Sequence, residues 1–131
     1  MGIKTVKKQR PVNLVDFKTF DWPASAKASI LHRVTGVAMF FAMAFVVWAW
    51  QESLSSQAGF NLISDLMTSF IAKFIAWGTL VVLSYHMIGG IRHMIMDLGY
   101  LEELESGNNS ANFILVLWII ISLAAGAWLW M

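Results

Sequence analysis

"TSFIAKFIAWGTLVVLSYHMIGGIRHMI", residues 68–95, decides the fold. A membrane-spanning helix needs roughly 20 mainly apolar residues. This run exceeds that length, which permits tilt or an extension past the bilayer. Its first two thirds carry a single charge, Lys73. Its last third holds His86, Gly89, Gly90, Arg92 and His93, with Asp97 just beyond. Ionisable groups inside a span are unfavourable in hydrocarbon and face a bundle interior, a cavity or a cofactor.

Two further runs resemble it in length. Residues 30–50 are nearly uncharged beyond Arg33, and residues 112–130 carry no charge. The whole chain is 58% hydrophobic and 13% charged, against about 25% charged in a soluble domain. The expectation is an all-α integral membrane protein with three transmembrane helices in a bundle. Residues 1–28 form an N-terminal segment, and residues 29–131 form the transmembrane domain. Trp22, Trp48, Trp50, Trp77, Trp128 and Trp130 lie near interface depths, where Trp concentrates. Gly36, Gly78, Gly89, Gly90 and Gly126 fall inside the spans, where small residues let a helix or ligand approach. The chain has no Cys, which excludes disulfides, iron–sulfur ligation by this chain and Cys-based zinc sites. There is no internal repeat and no low-complexity tract.

Charge sets the expected orientation. Lys4, Lys7, Lys8, Arg10, Lys18 and Lys27 precede the first span, and Arg33 sits just inside it. Residues 51–67 have neither Lys nor Arg. The positive-inside rule puts the N-terminus in the cytoplasm, and three spans put the C-terminus outside, in the periplasm. Residues 97–111 then form a cytoplasmic loop; its acids (Asp97, Glu102, Glu103, Glu105) count little in that rule. The first apolar run begins too late and is too long for a cleaved signal peptide. A short interfacial helix is expected near Ala24 to Ser29, with "WPASAKAS", residues 22–29, starting it and Pro23 at its first turn.

His86 is the most informative polar residue. If the second span ends near Met96, His86 lies about 15 Å deeper at 1.5 Å per residue, roughly mid-bilayer. A buried imidazole there needs a partner for its ring nitrogens. Haem iron, a hydrogen-bonding neighbour helix, and a proton relay all meet that need. Gly89 and Gly90 share its helical face; they suit either close helix packing or a flat cofactor. His93, two turns on, shares it too. With His32, Arg33 and Arg92, it could meet the carboxylates of an upright haem, or snorkel to headgroups. In "SILHRVTG", residues 29–36, Ser29, His32, Arg33 and Gly36 share one face. They could hold an oxygen-bearing ligand, or cap the helix and contact headgroups. Asp97 has two readings, an ion pair with Arg92 or Arg33, or a proton path to a bound ligand. Lys73 reads as a snorkelling anchor, and Met39, Met43, Met87, Met94 and Met96 as packing or lipid-facing groups.

"KKQRPVNL", "SILHRVTG" and "YHMIGGIRHMIMDLGYLEE" together resemble the cytochrome b large membrane-anchor subunit of bacterial succinate dehydrogenase, respiratory complex II. The resemblance covers nearly the whole chain. Its specific motifs are His-Arg-x-Thr-Gly, and His-x-x-x-Gly-x-Arg-His with an Asp four residues later.

It implies that His86 is one axial ligand of a single b-type haem shared with a small anchor subunit. It implies that His32, Arg33 and His93 lie on the propionate side. It also places Ser29, Arg33 and Asp97 at a ubiquinone pocket. The chain is not catalytic alone; a flavoprotein subunit and an iron–sulfur subunit supply the electrons. The implied setting is the bacterial inner membrane, multi-pass, within membrane lipid, in a complex expected to be trimeric and with no nucleic acid partner. A quinol:fumarate reductase-type anchor and a haem-free structural or transporter subunit are the alternative readings.

Overall fold

The computed structural model describes residues 22–131, so the N-terminal segment and its "KKQRPVNL" motif lie outside the described residues. The described chain is helical: α1 (Ala24–Ser55), α2 (Gln57–Leu66), α3 (Phe70–Asp97) and α4 (Leu104–Trp130). Three of these, α1, α3 and α4, are long and apolar enough to cross a membrane. Among the described residues there is no strand. The fold class is therefore the expected one, an all-α integral membrane protein.

The helices outrun the apolar runs that mark them. "WPASAKAS" is no separate interfacial helix: Pro23 occupies the N-cap, and α1 continues unbroken for 32 residues. At 1.5 Å per residue that is about 48 Å, longer than the ~30 Å hydrocarbon core. Residues 51–67, which connect the first two apolar runs, hold the end of α1 and all of α2. The Ser56 hydroxyl caps α2, accepting from the Gly59 N–H at 3.0 Å. Gln57, Asn61, Ser64 and Asp65 share one face of α2, and Phe60, Ile63 and Leu66 share the other. The loop before α4 is likewise shorter than the charges suggest. It reverses through Gly99 at φ 85° and Leu101 at φ 61°, the left-handed region that disfavours a branched side chain.

α3 packs against both α1 and α4, and α1 also touches α4. Few residues are buried, because a bundle in lipid exposes its apolar surface to acyl chains. Phe40 is 77% exposed. The core is correspondingly small, with Ala28, Ala111 and Ile114 packed by Ala24 and Ile88.

Side chain to carbonyl bonds, the polar glue of membrane bundles, tie the helices together. Trp77 Nε1 donates to Ser122 O, and Trp118 Nε1 donates to Val81 O, each at 2.9 Å. Tyr85 is fully buried; its hydroxyl donates to Ala28 O at 2.8 Å, and its ring meets Trp118 edge-on. At the same end, Asn108 of α4 accepts from the Ser25 N–H in the first turn of α1 at 3.1 Å. Tyr85→Phe should therefore lower thermal stability in detergent by about 0.6–1.5 kcal/mol, the worth of one interhelical bond. An unchanged melting temperature would mean that this bond contributes nothing.

Candidate functional site

Three imidazoles, all from predicted site positions, converge between α1 and α3. The rings of His32 and His86 stack with centroids 4.1 Å apart and planes 11° apart. His93 meets His32 edge-on at 4.9 Å. His86 and His93 come from one face of α3, and His32 enters from α1, which runs the other way.

Glycines make this approach possible, and each serves the opposite helix. A Cβ on Gly36 of α1 would sit 3.0 Å from His86 Cε1. A Cβ on Gly89 of α3 would sit 2.9 Å from His32 Cδ2, and one on Gly90 3.5 Å from His32 Nε2. Of the two readings of the Gly89 and Gly90 pair, close helix packing is the one the structure bears out. The flat group they accommodate is the His32 ring. Gly126 gives Trp77 the same clearance, whereas Gly78 has nothing within 4 Å of its would-be Cβ.

The backbone orders the nitrogens of His86. Its Nδ1 lies 3.2 Å from His32 O. A carbonyl only accepts, so Nδ1 carries the hydrogen, and in the neutral ring Nε2 keeps the lone pair. Thr35 Oγ1 lies 3.5 Å from the same Nδ1. That hydroxyl donates back to the carbonyls of Leu31 and His32, each at 2.9 Å. His86 also forms one wall of an open groove of about 650 Å³, otherwise lined by α1 residues including Gly36, Met39, Phe40 and Met43. That volume falls within the ~300–1,000 Å³ typical of cofactor and ligand sites. Within the pair, His32 Nε2 is buried with no hydrogen-bond partner among the described residues.

The other predicted residues sit apart from this stack. Ser29 is half-buried in the second turn of α1, so it does not cap that helix; Arg33 is exposed. Asp97 ends α3 and is exposed. Arg92 does not pair with Asp97 or snorkel to a headgroup. It is buried, at 4% exposure, and turns to α4, where Nε donates to Ser110 Oγ at 3.0 Å and Nη2 to Gly107 O at 2.9 Å. It lies one position from His93, so it points about 100° around the helix from that ring. Thr35, Tyr85 and the Arg92 partners were not singled out from the sequence. One signal was there to read: His-x-x-x-Gly occurs twice, as His32 with Gly36 and as His86 with Gly90.

The chain is a three-span helical membrane protein whose stacked histidines lie beside an open groove. Its sequence matches the family model described as succinate dehydrogenase/fumarate reductase transmembrane subunit over residues 6–125, and the chain belongs to that family. It is similar to the succinate dehydrogenase cytochrome b556 subunit of Coxiella burnetii, 34% identical over 123 residues, covering 93% of this chain and 98% of that one. It is 26% identical to the b556 subunit of Paracoccus denitrificans, over 76% of this chain and 77% of the relative. It is 33% identical to the cytochrome b560 subunit of Porphyra purpurea, over 76% and 81%.

Proposed function

We propose that this chain is the haem b-binding membrane anchor of a succinate:ubiquinone oxidoreductase. Family membership and the cytochrome b names of its relatives support the class. The observation that carries the haem reading is the ordered imidazole of His86. Its Nδ1–H is spent on a backbone carbonyl, and the residue walls an apolar groove. That is the usual outer-shell arrangement of a metal-ligating histidine.

The donor set fits one axial ligand rather than a metal site of its own. Among the described residues no group of three or more His, Asp or Glu could hold a metal ion. His86 would supply one axial nitrogen, and the small anchor subunit the other. A bound haem supplies a one-electron redox centre whose potential follows its ligands and burial. His32, Arg33 and His93 would meet the propionates, and the orphaned Nε2 of His32 supplies a donor or acceptor for such an oxygen.

Quinone reduction takes two electrons and two protons. Ser29 would donate a hydrogen bond to a quinone carbonyl. Arg33 would hold negative charge as it develops on that oxygen, and Asp97 would pass protons to it. The flavoprotein and iron–sulfur subunits would dock at this end of the bundle. With the N-terminus cytoplasmic, that end faces the cytoplasm of a bacterial inner membrane.

The test separates this site from assembly. In the intact complex, Ser29→Ala and Arg33→Leu should lower ubiquinone reductase activity while succinate oxidation with a soluble artificial acceptor persists. For Arg33→Leu the loss should be about 10–100-fold, since a charged hydrogen bond contributes roughly 1.5–3 kcal/mol. Equal loss of both activities would instead indicate failed assembly, and wild-type ubiquinone reductase activity in both variants would remove the quinone assignment.

A further inference from the structure

We propose that Thr35 is a positioning residue for the axial imidazole, setting the potential of the haem through the Nδ1 side of His86. The inference rests on the haem reading above and deepens it.

Thr35 is buried, at 5% exposure, three residues beyond His32 on the face of α1 that meets α3. A buried threonine in a membrane helix has an undemanding role available, which is to bond its own helix. Thr35 does so, its one hydroxyl proton shared between Leu31 O and His32 O, each at 2.9 Å. Two features go beyond that role. The carbonyl it engages at His32 is the one that faces His86 Nδ1 at 3.2 Å. Its own oxygen lies 3.5 Å from that same nitrogen. The bond to Leu31 O is of the i−4 kind that often bends a helix, and the bond to His32 O holds that carbonyl directly. The hydroxyl therefore acts twice on one N–H: it fixes the carbonyl that accepts from it, and it adds oxygen lone pairs beside it. Gly36, the next residue, lets the His86 ring come that close.

Acceptors on Nδ1–H give an imidazole more anionic character and make it a stronger donor through Nε2. A stronger donor favours ferric over ferrous iron, so the hydroxyl should hold the haem potential down. Removing it also relieves His32 O of a competing donor, which works the other way. The lost acceptor and the loss of the bond that holds His32 O beside Nδ1 both act on the first side, and they set the expected sign.

The experiment is a potentiometric titration of the haem absorbance, with low-temperature electron paramagnetic resonance, on the purified complex. Wild type, Thr35→Val and Thr35→Ser are compared. Valine keeps the shape without the hydroxyl, and serine keeps the hydroxyl without the methyl. Thr35→Val should raise the midpoint potential and move the low-spin g values, and Thr35→Ser should match wild type. A tenfold change in relative ferric and ferrous affinity would read as about 59 mV. Loss of haem in Thr35→Val with retention in Thr35→Ser would also support the assignment. An unchanged or lowered potential in Thr35→Val would overturn it, as would serine behaving like valine or both variants losing haem. A wild-type complex without any haem signal would sink the haem reading itself.

Discussion

His86→Ala is expected to abolish the low-spin b-type signal in a reduced-minus-oxidised spectrum of the purified complex. Losing an outer-shell partner of a metal ligand typically costs about 10–100-fold in affinity, and losing the ligand itself should exceed that. Alanine also leaves the His32 ring without its stacking partner and opens the floor of the groove. The three α3–α4 ties, at Trp77, Trp118 and Arg92, do not involve His86. The bundle should therefore persist, and the subunit should still be recovered with the complex. Normal low-spin haem in this variant would refute the ligand assignment. Haem absent from the wild type as well would leave a structural anchor.

Gly89→Leu should have the second large effect, and Gly78→Leu is its control. A Cβ at position 89 already falls 2.9 Å from His32 Cδ2, with His32 Cγ at 3.5 Å and Cβ at 3.6 Å. Leucine adds three more carbons to that contact. Overpacking of this kind costs about 1–3 kcal/mol or more. It would push α1 away from α3, separate His32 from His86 and withdraw the carbonyl from Nδ1. Haem content and melting temperature should fall together. At Gly78 nothing lies within 4 Å, so leucine there should be tolerated. Equal haem content in the two variants would show that the glycine clearances do not shape the site.

Much of this arrangement was legible in the residues. Three long apolar runs announced three spans, because lipid admits a helix only when its length and hydropathy both suit the bilayer. The depth of His86 singled it out, and His32 and His93 shared faces that spacing alone could find. Other features depended on which helix meets which. Arg92 was assigned to Asp97, haem carboxylates or headgroups because its partners, Gly107 and Ser110, lie in a stretch read as a loop. The helix there begins before the apolar run does, and polar residues such as Asn108 and Ser110 face its neighbours. Gly89 and Gly90 were read either as a packing surface or as room for a cofactor beside His86, and which histidine they clear, His32 of the antiparallel helix, depends on the pairing of helices. The α2 segment was missed because its apolar stripe is too short to register as a span, although Ser56 and the spacing of Phe60, Ile63 and Leu66 marked it.

The bonding of Arg92 also bears on how the molecule is made. Both acceptors of its guanidinium belong to α4, which the ribosome delivers after α3. While α3 is newly threaded, its cation has no mate within the chain and favours the headgroup region, so the depth of that segment is not yet settled. Arrival of α4 supplies Gly107 and Ser110 and lets the cation sink. The helix after α3 thus acts as a latch, and the height at which His86 comes to rest is decided only once α4 has joined the bundle.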